Sequence, residues 1–477
     1  MNATDLSYTP ALELARLYRA KTLSPVEVTE AVLARIDRLN PKLNAYLTVT
    51  ADHARELARA AEARLMRGQP LGPLDGIPYS IKDLEPTAGI RTTFGSKFFE
   101  HNVPTEDGAV ASRLRGSGGV LLGKTNTPHF GYKDMCDNLI GPPCKNPWNL
   151  ARTSGASSGG AGSAVAAGLG PLAHGSDGSG SIRIPSALCG IFGLKPSLAR
   201  VPYWPSADLW GARSHNGPMT RTVRDAAILL QVLAGPDARD PLSIDAPPED
   251  YLAACEGDVR GWRVGWSADL GFAAVDPEVA ELTARAARRF EELGAQVEEA
   301  KVDWGQPYEF HKIIYSASVA ARNYDRARER PDWIEPTLMR MILDAGQWTS
   351  IDYMKAHLAR TEFCEKVRRT FDRYQLLLTP QMPVAAWPAD PGPFEGLPDL
   401  GGKPAHSIFD RVPFMYPFNL TGYPAANVPC GFTREKLPVG LQIVGRWHRE
   451  VDVLRAAACF EAVQPWAPHR PPDPETL

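Results

Sequence analysis

"GSDGSGSIRIPSALCGIFGLKPS", residues 175–197, packs glycine and serine ahead of a run of apolar residues. Its first nine positions hold three glycines and three serines, directly after His174. Glycine lets a backbone come close to a ligand, and serine becomes a nucleophile once a base takes its proton. The preceding "PLAH" reads as extended, and a helix is expected to begin near Ser181. The N–H groups of Gly178, Ser179, Gly180 and Ser181 would then be unpaired donors at the positive end of that helix. Such donors suit the oxyanion of a tetrahedral intermediate. A strand, a glycine-rich loop and a helix in succession are one unit of an α/β protein.

The same alternation extends outward. "GIPYSIKDL" (76–84) and "GVLLGKTN" (119–126) read as strands, with "GAVASRLRGSG" (108–118) as a helix between them. "GGAGSAVAAGLG" (159–170), "TRTVRDAAILLQVLAG" (220–235) and "DPEVAELTARAARRFEELG" (276–294) read as helices. "WRVGWSAD" (262–269), "YQLLLTP" (374–380) and "LPVGLQIVG" (437–445) read as strands, and a last helix begins near Glu450. The pattern predicts an α/β fold: a central mixed, mostly parallel sheet with helices on both faces.

The first 70 residues read as helix. Ser24 is an N-cap, Pro25 sits at the first helical position and Glu27 completes a capping box. Gly68 ends a following alanine-rich helix. We expect a single domain over 1–477: a helical collar (1–70), a catalytic core (71–235), and a helical and loop region (300–410) over the substrate cleft. The last includes the proline-rich stretch 379–404, a long loop of the kind usually tied to function.

The 477 residues are 44% apolar and 22% charged, with a net charge of −3. No basic stripe offers itself to a phosphate backbone, which argues against nucleic acid as a partner. The N-terminus lacks an apolar signal region and no run is long enough to span a bilayer, so a cytoplasmic location without membrane contact is expected. Seven cysteines are scattered without a C-x-x-C pair, unlike a disulfide framework or a zinc site.

Two short motifs match other chemistries. "GGVLLGKT" (118–125) fits the P-loop pattern, but its variable positions are Val120, Leu121 and Leu122, which look like a core strand that Lys124 ends. "GASSG" (155–159) fits a nucleophile elbow, yet "KNPWNLARTS" before it is loop-like and no acid–histidine pair follows in a recognisable context. His174 lies in an extended run, where its side chain points away from the neighbouring serines. The better base is Lys82, flanked by Ile77, Pro78 and Ile81. Lowering an amine from a pKa of about 10.4 to about 7–8 takes roughly 4 kcal/mol, which burial supplies. The competing reading is a core-edge lysine that snorkels outward or pairs with Asp83.

Three segments together, "GIPYSIKD", "TSGASSGGAGSAVAAG" and "GSDGSGSIRIPSALCGIFGLKPS", resemble the amidase signature family of serine hydrolases. "LLGKTNTPHFG", "KNPWN", "GPMTRTVRDAA", "PFNLTGYPAANVP" and "LPVGLQIVG" extend the resemblance from about residue 10 to 465. It implies a Ser–Ser–Lys triad of Ser181 as nucleophile, Ser157 as proton relay and Lys82 as base. It further implies a cis peptide at Ala156–Ser157, Ser158 bracing it, an oxyanion hole of Gly178, Ser179 and Gly180, and Asp177 and Arg183 orienting the site, paired with each other. The family's first block usually reads Pro-Gly-Gly-Ser-Ser-Gly-Gly, whereas Ser154, Gly155 and Ala156 precede Ser157 here. Ser179 stands where a second glycine is usual.

The implied reaction is hydrolysis of a carboxylic amide through an acyl-enzyme, with no metal or organic cofactor. Anilides, alkyl amides, nylon-type oligomers, carbamates (urethanes) and esters share this chemistry. Tyr132, Met135, Tyr203, Trp204 and Trp210 either line a cleft for bulky groups or pack in the core. Within the family the alternative is the glutaminase subunit of a tRNA-dependent amidotransferase, whose polar glutamine segment "SASVAARNYDRARER" (316–330) resembles only faintly. A P-loop nucleotide-binding protein is the alternative outside it. The partner expected is a small amide, with homo-oligomer formation left open.

Overall fold

The computed structural model of the chain describes residues 3–211, 213–389 and 408–473. Its strands are β1 (Tyr46–Val49), β2 (Pro78–Lys82), β3 (Val120–Thr125), β4 (Lys145–Asn146), β5 (Asn149–Thr153), β6 (Leu172–Asp177), β7 (Phe192–Lys195), β8 (His215–Thr220), β9 (Arg263–Trp266), β10 (Gln296–Glu299), β11 (Leu376–Pro380), β12 (Ala425–Phe432) and β13 (Pro438–Gly445). Eleven of them form one sheet in the order β1-β3-β2-β6-β8-β7-β12-β13-β11-β9-β10. Every residue of β2, β3, β6, β8, β11 and β13 is buried. Successive strand residues point to opposite faces, so both faces of this sheet are covered.

The sheet is mixed, and the expectation of mostly parallel pairing is corrected by the register. Only β2 with β3 and β6, and β9 with β10 and β11, pair parallel. The other six pairings are antiparallel. Parallel neighbours need a crossover, usually a helix. Among the described residues no helix lies between β7 and β8 or between β12 and β13, and each of those pairs is antiparallel.

Ser24 caps the helix Pro25–Leu43 with both bonds of the capping box formed, and Gly68 (φ 68°) follows the helix Ala51–Met66. The N-terminal region is not wholly helical: β1 interrupts it and forms the edge of the sheet against β3. "KNPWNLARTS" is likewise not a loop; β4 and β5 pair as a separate hairpin. Residues 390–407, which carry most of the proline-rich stretch and part of the 300–410 region, lie outside the described residues. Among the described residues, no helix is long and apolar enough to cross a membrane.

Candidate active site

β2 and β6 lie side by side and parallel, with Ile81 opposite His174. That register brings Lys82, at the end of β2, against Ser176 and Asp177 at the end of β6. Ends of parallel strands are where α/β sheets place their ligands. Lys82 is completely buried. Its Nζ lies 2.6 Å from Ser157 Oγ, and it donates to Ser176 Oγ at 3.0 Å and to the Ser176 carbonyl at 3.2 Å. Burial pushes the amine down to about 7, against the opposing pull of Cys136 and Asp177. Pairing with Asp83 is not formed: that carboxylate accepts from the amide (2.9 Å) and hydroxyl of Thr93.

Ser157 follows a cis peptide bond from Ala156 and stands just before the helix Gly159–Ala166. Ser158 clamps this turn to β6: its hydroxyl donates to the Ser176 carbonyl and accepts from the Ser176 amide, both at 3.2 Å. The Ser158 amide donates to the Ser181 carbonyl, also at 3.2 Å. Three segments are thereby held together. Ser157, Ser176, Gly178, Ser179 and Ser181 all border one cavity of about 440 Å³. The Ser181 hydroxyl has no hydrogen-bond partner among the described residues, and the bond from Ser181 to Ser157 is not made. Such bonds commonly tighten only once substrate is bound.

Asp177 organises the loop 177–183. Its carboxylate accepts from the amides of Gly180 (2.6 Å) and Ile182 (3.2 Å), from Arg183 Nε (2.9 Å) and Nη2 (3.1 Å), and from Asn419 Nδ2 (2.9 Å). Burial alone would raise this carboxyl, but Arg183 and the other donors hold it well below the ordinary carboxylate range. Both members of the Asp177–Arg183 pair are fully buried. Arg183 further donates to Gln442 Oε1 (2.8 Å), Asn419 Oδ1 (2.6 Å) and the Met415 carbonyl (3.1 Å).

This hub corrects two expectations. The helix starts at Arg183 rather than Ser181, because Asp177 keeps residues 178–182 in a loop. The Gly180 amide is engaged by Asp177, whereas those of Gly178, Ser179 and Ser181 have no acceptor among the described residues. Glycine is required at 180 for another reason: φ is +115°, and a Cβ would lie 2.5 Å from Met415 Cγ. Ser179 has no positive φ and so tolerates its side chain. Its hydroxyl donates to the Gly178 carbonyl at 2.7 Å and stands 3.3 Å from Nε2 of buried His311.

Of the five aromatic and methionine candidates, Tyr132 and Tyr203 line the cavity. Met135 is packed in an apolar core cluster, the Trp204 ring lies under the Arg239 guanidinium (4.1 Å), and Trp210 is 77% exposed. These three are not cavity residues. Sequence reading missed Phe94, Phe99, Phe130, Tyr315 and Arg213, which are. Tyr315 and Val319 follow helical spacing within Tyr308–Glu329, a signal that could have marked one face of that helix.

Lys124 does not serve a phosphate loop. It is buried at the end of β3, where its Nζ donates to the Glu85 carbonyl, Thr87 Oγ1 (2.9 Å) and Thr92 Oγ1 (3.0 Å). His174, in β6, has Nε2 3.0 Å from Asn216 Oδ1, and burial pushes it down to about 3. It is a neutral strand histidine.

A buried amine tied to a serine, beside a second serine and free amides, calls for comparison with known hydrolases. The Amidase family model matches residues 27–454. The chain belongs to the amidase signature family. An acylamidase of Rhodococcus erythropolis is 42% identical over 487 residues, covering 99% of each chain. A glutamyl-tRNA(Gln) amidotransferase subunit of Moorella thermoacetica is 36% identical, covering 98% of this chain and 99% of its own. The solved structure of a bacterial aryl acylamidase of the amidase signature family superposes with a TM-score of 0.89 at 33% identity, covering 97% of each chain. This amidase signature enzyme is a hydrolase of carbon–nitrogen bonds in carboxylic amides.

Proposed function

We propose that the enzyme cleaves aryl or alkyl amides by a Ser181 acyl-enzyme, with Ser157 as proton relay and Lys82 as base. The 2.6 Å contact of Lys82 with Ser157, at an amine brought to about 7, carries this reading. A neutral amine has two N–H donors and one lone pair. The three contacts of Nζ match that count: the donors serve Ser176 Oγ and its carbonyl, and the lone pair accepts from the Ser157 hydroxyl. Ser157 can then accept the Ser181 proton as Ser181 attacks, and return it to the departing nitrogen.

The oxyanion is held by the amides of Gly178, Ser179 and Ser181. Asp177, through Gly180 and Ile182, fixes the loop that carries them. Water repeats the attack on the acyl-enzyme. The collar, the core and the 300–410 region work as one amidase domain, with the helix Tyr308–Glu329 walling the cleft. Phe94, Phe99, Phe130, Tyr132, Tyr203 and Tyr315 give the cavity an aromatic wall, in keeping with a bulky apolar group on the substrate. That wall favours acylamidase activity over glutamine hydrolysis for an amidotransferase.

A hydrolysis panel of anilides, alkyl amides, carbamates and glutamine, run on wild type and Lys82→Ala, tests the reading. Anilides or alkyl amides should lead the panel, and Lys82→Ala should lose at least a thousandfold in kcat. Glutamine as the best substrate, or full turnover in Lys82→Ala, would refute it.

A further inference from the structure

The cavity that holds Ser181 is bordered by three arginines, Arg213, Arg322 and Arg326, and among the described residues lining it there is no aspartate or glutamate. None of the three forms an ion pair among the described residues. Their bonds go instead to neutral groups. Arg213 donates to the Gly178 carbonyl at 3.2 Å and lies over the Tyr315 ring at 4.4 Å. Arg322 donates to Ser318 Oγ (2.6 Å) and its carbonyl (3.0 Å), and Arg326 to the Arg322 carbonyl (2.7 Å). Nη1 of Arg322 and Nη2 of Arg326 have no protein acceptor among the described residues. Three carboxylates stand in adjoining recesses, each with partners of its own. Asp134 is bound to Arg411 at 2.7 Å. Asp208 accepts from the amides of Trp210 (3.1 Å) and Gly211 (2.8 Å), and Asp240 accepts from those of Tyr203 (2.9 Å) and Leu242 (3.0 Å).

The helix Tyr308–Glu329 explains the arrangement. Tyr315, Val319, Arg322 and Arg326 recur at spacings of three and four, which puts them on one face. Along that face burial falls: Tyr315 and Val319 are buried, Arg322 is exposed and Arg326 half-buried. The apolar turns lie deep and the cations nearer to solvent. Arg326 also lies over the rings of Phe99 and Phe130, at 5.3 and 5.4 Å, which holds it at the aromatic wall. Guanidinium is always charged and is shaped to take a carboxylate through two parallel N–H bonds.

We infer that the substrate is an amide carrying a carboxylate remote from the scissile bond, received by Arg322 and Arg326. The inference rests on the proposed reading of this cavity as the amide site and adds a charge requirement to it. A neutral apolar amide would leave these cations with water alone. A substrate with an aromatic or alkyl body and an anionic end uses both parts of the wall.

The test compares kcat/KM within matched pairs. Glutaryl anilide against pentanoyl anilide places the carboxylate on the acyl side. N-butyryl-4-aminobenzoate against N-butyryl-4-toluidine places it on the amine side. One of the two carboxylates should be preferred at least tenfold, and that arm identifies the side facing the arginines. The preference should shrink between 20 mM and 300 mM salt and fall at least tenfold in Arg322→Gln/Arg326→Gln. Arg322→Glu/Arg326→Glu should turn the preference towards the corresponding ammonium-bearing anilide. Equal rates in both pairs, or a preference unmoved by the double Gln variant, would overturn the inference. Lys82→Ala on the same substrates keeps the two readings apart: turnover retained there refutes the base and leaves the carboxylate comparison standing.

Discussion

Titrating Lys82 gives the account its most quantitative consequence. Burial takes this amine from an ordinary value of 10.5 to about 7. The difference corresponds to about 5 kcal/mol of lost preference for the charged form. At pH 7 an ordinary lysine is neutral in only about three molecules in ten thousand, whereas Lys82 is neutral in about half. As a base it acts only when neutral. log kcat/KM for an anilide should therefore rise with unit slope up to about pH 7 and level off above it, with roughly a tenfold loss at pH 6. Stability carries the same signature with a definite sign. Between about pH 7 and 10.5 the unfolded chain holds a proton at this lysine that the folded chain has released. The folded state therefore gains stability as pH rises through that window, by up to about 5 kcal/mol in all. In Lys82→Met that increment should vanish from denaturant titrations compared across the same pH range. A rate profile flat from pH 5 to 9, or one still climbing at pH 10, would rule out a base of this pKa.

The remaining expectations concern residues around this centre. Arg183→Met leaves Asp177 charged and buried without its partner, and should cost about 3–5 kcal/mol in chemical denaturation; a loss below 1 kcal/mol would dissolve the hub. Lys124→Met should lower stability by about 1–3 kcal/mol through its lost hydrogen bonds, and ATP should leave the melting temperature of wild type unchanged. A nucleotide-dependent rise would revive the P-loop. Trp210→Ala should keep kcat/KM on an anilide within twofold, whereas Tyr203→Ala should lose about tenfold, mostly through KM; equal losses would put the exposed tryptophan on the substrate.

Part of this site can be read from short stretches of sequence, for a physical reason. The apolar strand around Lys82 and the glycine-rich turn at 178–181 mark a candidate buried amine and candidate free amides locally, whereas the roles of Ser157, Ser158, Asp177 and Ser181 came with the family resemblance. The capping box at Ser24 and the strand nature of "GGVLLGKT" are local in the same sense. Failures arose where distant segments decide. β1 was hidden in a helical region because "YLTV" becomes a strand by pairing with β3, far along the chain. Pairing direction depended on which strands become neighbours, so the excess of antiparallel pairs was not legible. The Gly180 amide looked free because its acceptor, Asp177, turns back on its own loop. Phe94, Phe99 and Phe130 meet the arginines of Tyr308–Glu329 only across the folded cavity; helical spacing puts Arg322 and Arg326 on one face, but nothing local says that this face borders the site. Trp204 and Trp210 show the converse: aromatic residues adjacent in sequence to the site point elsewhere.

The central claim is that Ser181 becomes covalently acylated because Lys82 is neutral. Labelling the folded enzyme with a fluorophosphonate, then locating the adduct by peptide mass spectrometry, addresses it directly. One adduct is expected, on Ser181, absent in Ser181→Ala and formed at least a hundredfold more slowly in Lys82→Ala. An adduct on Ser157 in wild type, or undiminished labelling in Lys82→Ala, would contradict it.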